Sequence, residues 1–158
     1  MAKQEISNID NFLQISDSVA TSGQPTPEQI QAIGEAKYQV VVNLALATST
    51  NALTNEQEIV EAMGMEYGHI PVIWENPTLE DLRRFFEIMS SRSHENVLVH
   101  CAANMRVSAF MYLYRLIEQD INEVDAKKDL DKIWQPNRVW QDFIEEAITH
   151  NEQISFSS

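Results

Sequence analysis

Apolar runs rich in β-branched residues alternate along this chain with segments whose apolar positions recur every three or four residues. Residues 12–21 read as two short strands around Ser16-Asp17, a hairpin-like start. Thr26-Pro27-Glu28-Gln29 then opens a helix, with Thr at the cap, Pro at the first helical position and Gln three residues after the cap. That helix extends to about residue 36. The run 39–46 is dense in valine and predicts a strand buried on both faces. Thr54-Asn55-Glu56-Gln57 repeats the capping pattern, and Gly64 ends the helix that follows. Residues 65–73 predict the next strand. Thr78 caps a third helix over 79–91, whose Leu82, Phe85, Phe86 and Met89 share one face. A strand over 96–100 precedes a helix over 107–118 that is apolar nearly all round and therefore central. Two more helices, 122–132 and 137–150, are split by Gln135-Pro136. Trp134, Trp140, Phe143 and Ile144 read as packing residues rather than a ligand box.

Strands alternating with helices predict an α/β fold with a mainly parallel central sheet flanked by helices. At 158 residues the chain is expected to form one domain, 1–158. The formal net charge of −13 argues against nucleic acid and anionic membrane as partners, since both need a cationic face. No apolar stretch approaches a membrane span. The first ten residues lack a cationic and apolar signal pattern, so the expected location is the cytoplasm. One cysteine rules out an internal disulfide, a CxxC redox pair and a multi-cysteine zinc site.

That cysteine carries the chemistry. It lies in Val97-Leu98-Val99-His100-Cys101-Ala102-Ala103-Asn104-Met105-Arg106-Val107-Ser108. An apolar strand delivers it to a short loop just past the C-terminal end of a central strand, where such sheets bind their ligands. Arg106 follows, and a helix begins. A thiolate can attack phosphorus. Backbone amides of 102–105 and the helix N-terminus can hold phosphate oxygens, and a guanidinium can grip two of them at once. An arginine opening a buried helix is costly without a partner, and an anion is the natural one. No metal and no cofactor is required, because the arginine and the amides neutralise the charge.

The arrangement resembles the cysteine-dependent protein tyrosine and dual-specificity phosphatases, whose signature is His-Cys, five residues, Arg, then Ser or Thr. Here four residues separate Cys101 from Arg106, and Val107 stands at the family's arginine position. The loop also has no glycine to turn its amides inward. Two readings stay open: a loop one residue shorter from which Arg106 still reaches the anion, or an altered cradle. The resemblance implies a phosphate monoester of a small molecule or a phosphoprotein as substrate. Cys101 would be nucleophile, and Ala102, Ala103, Asn104, Met105, Arg106 and Val107 would bind phosphate. His100 would orient the loop, and Ser108 would donate to the sulfur. The family's general acid is usually an Asp on a separate loop. The corresponding segment, Ile70-Pro71-Val72-Ile73-Trp74-Glu75-Asn76-Pro77-Thr78, has none; Glu75 fits best by position, with Asp81 and Glu80 next.

Ala20-Thr21-Ser22-Gly23-Gln24-Pro25-Thr26 followed by Val41-Val42-Asn43-Leu44 is similar to a bacterial phosphatase-like subgroup of unknown function, the DUF442-like proteins. The likeness spans about 12–145. Gln24 and Asn43 read as turn and strand-end hydrogen-bonding residues, and Arg138 as a cation without an assigned role. Two rival readings are a catalytically inactive anion-binding module and a rhodanese-like sulfurtransferase, which also holds a cysteine in an anion-binding loop.

Overall fold

The computed structural model describes residues 5–155. Five strands, β1 (Leu13–Gln14), β2 (Val19–Ser22), β3 (Val40–Asn43), β4 (Glu66–His69) and β5 (Val97–His100), form one sheet in the order β1-β2-β5-β3-β4. Only β1 is antiparallel to its neighbour. The register sets Ser22 opposite His100, His100 opposite Asn43, and Asn43 opposite His69. These four residues thus form one row along the C-terminal edge of the sheet.

Side-chain alternation divides the core in two. Val97, Val99 and Cys101 face one cluster with Val40 and Val42. That face is covered by α3 (Leu79–Ser91), α4 (Met105–Leu113), α5 (Glu123–Ile133) and α6 (Arg138–Thr149). Leu98, Val41 and Ala20 face the other cluster, under α1 (Pro27–Glu35) and α2 (Glu56–Ala62). After α6 comes a short helix, α7 (Asn151–Ile154), which the sequence pattern does not predict. Among the described residues no helix is long and apolar enough to cross a membrane.

The caps follow the side chains available. Thr26 accepts from the Gln29 amide at 3.1 Å while Gln29 Oε1 accepts from the Thr26 amide at 2.9 Å. Such a reciprocal pair contributes about 1 kcal/mol. Thr78 accepts from the Asp81 amide at 3.1 Å. The expected box at Thr54 does not form: Asn55 is the cap of α2 and makes no side-chain cap bond. Gly64, at φ +80, ends the turn after α2 as expected. The strand expected over 65–73 is regular only to His69, because Pro71 has no N–H to offer a ladder. The chain still runs beside β3, with the Ile70 amide donating to Asn43 O and the Val72 amide to Leu44 O. α4 starts at Met105, two residues before the expected position. It passes into a π turn at Tyr114–Glu118, where Gln119 N–H reaches back five residues to Tyr114 O.

Candidate active site

Cys101 leaves the C-terminal end of β5, is 1% exposed and is a free thiol. The loop to α4 is four residues long and is held by its carbonyls. Ala102 O accepts from the Gln24 amide at 3.1 Å and from Asn51 Nδ2 at 3.2 Å. Ala103 O accepts from Asn11 Nδ2 at 2.9 Å. Gly23 lies flat against this loop, bridged to Ala103; a Cβ there would stand 2.8 Å from Ala102 O. With the carbonyls committed outward, the amides of Ala102, Met105, Arg106 and Val107 donate to no protein acceptor among the described residues.

The loop turns without glycine because Asn104 occupies the left-handed region at φ +67, a conformation asparagine tolerates better than most residues. Its Nδ2 donates to Asn11 O at 2.8 Å and to Thr21 Oγ1 at 3.0 Å. Asn104 is the N-cap residue of α4 by position, with no side-chain cap bond, and the helix begins at once.

Arg106 therefore stands in the first turn of α4 rather than at the end of a loop. It is 7% exposed, and Nη1 donates to Val72 O at 2.9 Å. Among the described residues it has no carboxylate partner and no other hydrogen bond. Val107, at the position where the phosphatase signature has arginine, packs in the core, so only its amide is available. Ser108 Oγ donates to Met105 O at 2.8 Å and accepts from Trp134 Nε1 at 3.0 Å. Its hydroxyl proton is thus directed at the backbone and not at the sulfur.

Beneath the loop lies a polar cluster that the sequence pattern did not reveal. His100 is fully buried, with Nε2 2.6 Å from Glu56 Oε2 and Nδ1 3.2 Å from Cys101 O. Glu56, from the first turn of α2, is itself buried and accepts from Gln24 Nε2 at 2.7 Å. Burial pushes the Glu56 carboxyl up. The His100 hydrogen bond and charge, helped by Gln24 and His69, outweigh it and hold the carboxyl below the usual carboxylate range. The Glu56 charge also acts on Tyr67, whose hydroxyl accepts from Asn43 Nδ2 at 3.1 Å. Burial first, then that carboxylate, push its phenol up to about 12 against the opposing bond from Asn43. Asn43 Oδ1 accepts from the Ala45 amide, a strand-end role.

Glu75 is exposed on the loop after Val72 and lines a shallow cleft with Val139, Asp142 and Glu146, away from the residues of the cysteine loop. Its neighbour Trp74 is anchored: Trp140 Nε1 donates to Trp74 O at 2.9 Å, and the Trp74 ring packs against Trp134 and Trp140. Asp81 sits in the first turn of α3, where a carboxylate complements the helix dipole, and Glu80 pairs with Arg84 on the surface. Arg138 forms an exposed pair with Asp142.

Solved structures of other proteins share this fold. A candidate phosphatase (DUF442) from Shewanella putrefaciens CN-32 is 33% identical; the match covers 92% of this chain and 96% of that one, with a TM-score of 0.82. The core catalytic domain of the PP-IP phosphatase SIW14 from S. cerevisiae, in complex with citrate, shares the fold at 16% identity, with 92% and 90% covered and a TM-score of 0.74. Tk-PTP in its active form does so at 17% identity, with 89% and 97% covered and a TM-score of 0.73. No curated protein is significantly similar. Residues 5–148 match the family described as DSP-PTPase phosphatase fused to NAD+ kinase, and the chain belongs to that family of cysteine-based phosphatases.

Proposed function

We propose that this chain hydrolyses phosphate monoesters through a cysteinyl-phosphate on Cys101. The observation that carries the reading is Arg106: a nearly buried guanidinium without a carboxylate partner among the described residues, opening the helix that follows a loop whose Cys101, Ala102 and Ala103 carbonyls are hydrogen-bonded to other parts of the protein. Such a site is complementary to a phosphoryl dianion. The Cys101 thiolate attacks phosphorus, an S–P bond forms, the P–O bond breaks, and the leaving oxygen takes a proton. Water then attacks phosphorus and returns the thiolate and inorganic phosphate. Amides of 102–107 and Arg106 stabilise the charge spread over the transferring oxygens. Glu75 is the proposed proton donor and has to approach from its exposed loop.

The reading includes one domain over 1–158, a phosphorylated small molecule or phosphoprotein as substrate, and a reducing compartment such as the cytoplasm, which keeps Cys101 a thiol. Nucleic acid and membrane are not among the proposed partners. Steady-state hydrolysis of p-nitrophenyl phosphate tests it. Turnover by the wild type, abolished in Cys101→Ser while sulfate binding persists, is the expected result. Sulfurtransfer from thiosulfate without phosphatase turnover overturns it.

A further inference from the structure

The buried acid under the cysteine loop is unusual in its placement. An uncompensated carboxylate beside an anion-binding cradle would repel the substrate and the thiolate alike. Glu56 is nevertheless held there by two elements: Gln24 from the turn before α1 and His100 from β5. His69, on β4, adds its charge. On its far side the His100 ring faces a second acceptor, the carbonyl of Cys101 itself. An imidazole with an oxygen at each nitrogen satisfies both only when it donates from both.

Resting on the phosphatase reading, we propose that Glu56 is a positioning residue. It accepts the Nε2 proton of His100, which fixes the ring as a double donor with Nδ1–H on the Cys101 carbonyl and sets a positive charge next to the nucleophile. Gln24 keeps the carboxylate in place, which gives the Ser22-Gly23-Gln24-Pro25 turn a chemical role. The Gly23-Gln24 backbone braces the loop from outside, and the Gln24 side chain braces its acid from beneath.

The sign of one measurement decides the matter. Acting directly, removal of the Glu56 charge would ease formation of the Cys101 thiolate. Acting through His100, the same removal hinders it. Alkylation of Cys101 by iodoacetamide, followed against pH in the full chain, reads this without turnover. In Glu56→Gln the midpoint is expected to rise by about one pH unit. The variant is also expected to lose kcat with little change in KM. His100→Asn should raise the midpoint too, and the double variant should go no further than His100→Asn, because the two act as a unit. Gln24→Met leaves the charge and removes only one tether, so it remains informative if Glu56→Gln does not fold; its midpoint should rise by less. An unmoved or lowered midpoint in the folded variants overturns the role of Glu56 while leaving the phosphatase reading intact. A wild type that alkylates like a free thiol overturns both.

Discussion

Arg106 donates from Nη1 to the carbonyl oxygen of Val72 at 2.9 Å, which ties the guanidinium opening α4 to the segment that carries Trp74 and Glu75. One edge of the arginine is thereby committed to protein, and the Nε–Nη2 edge is left for the two-pronged grip on an anion. The same bond makes Arg106 part of the framework as well as of the site.

Replacement of Arg106 should therefore have two separable effects. Arg106→Lys keeps the charge but loses the planar fork, and kcat/KM for p-nitrophenyl phosphate should fall by on the order of 10²–10³. Loss of the Val72 bond should also loosen the 72–76 backbone, seen as faster amide hydrogen exchange there than in the wild type. Slow turnover with unchanged exchange would assign Arg106 to the anion alone.

Asn104 makes a sharp comparison possible. Asn104→Gly and Asn104→Ala both lose the bonds to Asn11 and Thr21, and only alanine also suffers at φ +67. Alanine should be the less stable by about 1 kcal/mol in denaturant unfolding. Equal stabilities would mean that the loop relaxes out of the left-handed conformation.

If Glu75 protonates the leaving group, Glu75→Gln should slow esters with poor leaving groups by on the order of 10²–10⁴ and aryl esters of acidic phenols much less. Asp81→Asn, which should cost only a little stability in α3, is the matched control. If the two variants trade places, the acid is Asp81. If neither matters, the enzyme turns over activated esters only.

Glu56 should also mark the acid limit of stability. A carboxyl held below its ordinary range favours the folded state at neutral pH. That contribution is present above the unfolded value and is lost as pH falls through the folded one. The melting temperature of the wild type should drop as pH is lowered through and below the carboxylate range. Glu56→Gln, less stable at pH 7, should lose less over the same interval.

Much of the fold could be read from residues whose local chemistry and tertiary role coincide. Thr26 and Thr78 cap helices wherever those helices pack, and the unbroken apolar run Val97-Leu98-Val99 ahead of the cysteine reads as a strand, which β5 is. The cysteine loop followed from its position at the end of that strand. Glu56 was not legible. A glutamate in the first turn of an amphipathic helix reads as a solvated group serving the dipole, and its burial is decided by Gln24 and His100, 32 and 44 residues away. The one hint was His100 itself, a buried ring in an apolar strand that needs partners for two nitrogens. The start of α4 was misplaced for a similar reason: asparagine at positive φ does there what glycine usually does, and composition does not distinguish an αL asparagine from any other.

The chain has three tryptophans, and all three, Trp74, Trp134 and Trp140, stand with ring centroids between 5.2 and 6.2 Å of one another. One of them donates to Ser108 on the cradle helix, and another immediately precedes Glu75 in sequence. The indole emission of this protein thus originates from a single spot adjoining the site, with no remote tryptophan to dilute it. The intrinsic fluorescence and near-ultraviolet dichroism of the native chain are a built-in optical probe of movement in that loop, and they need no label.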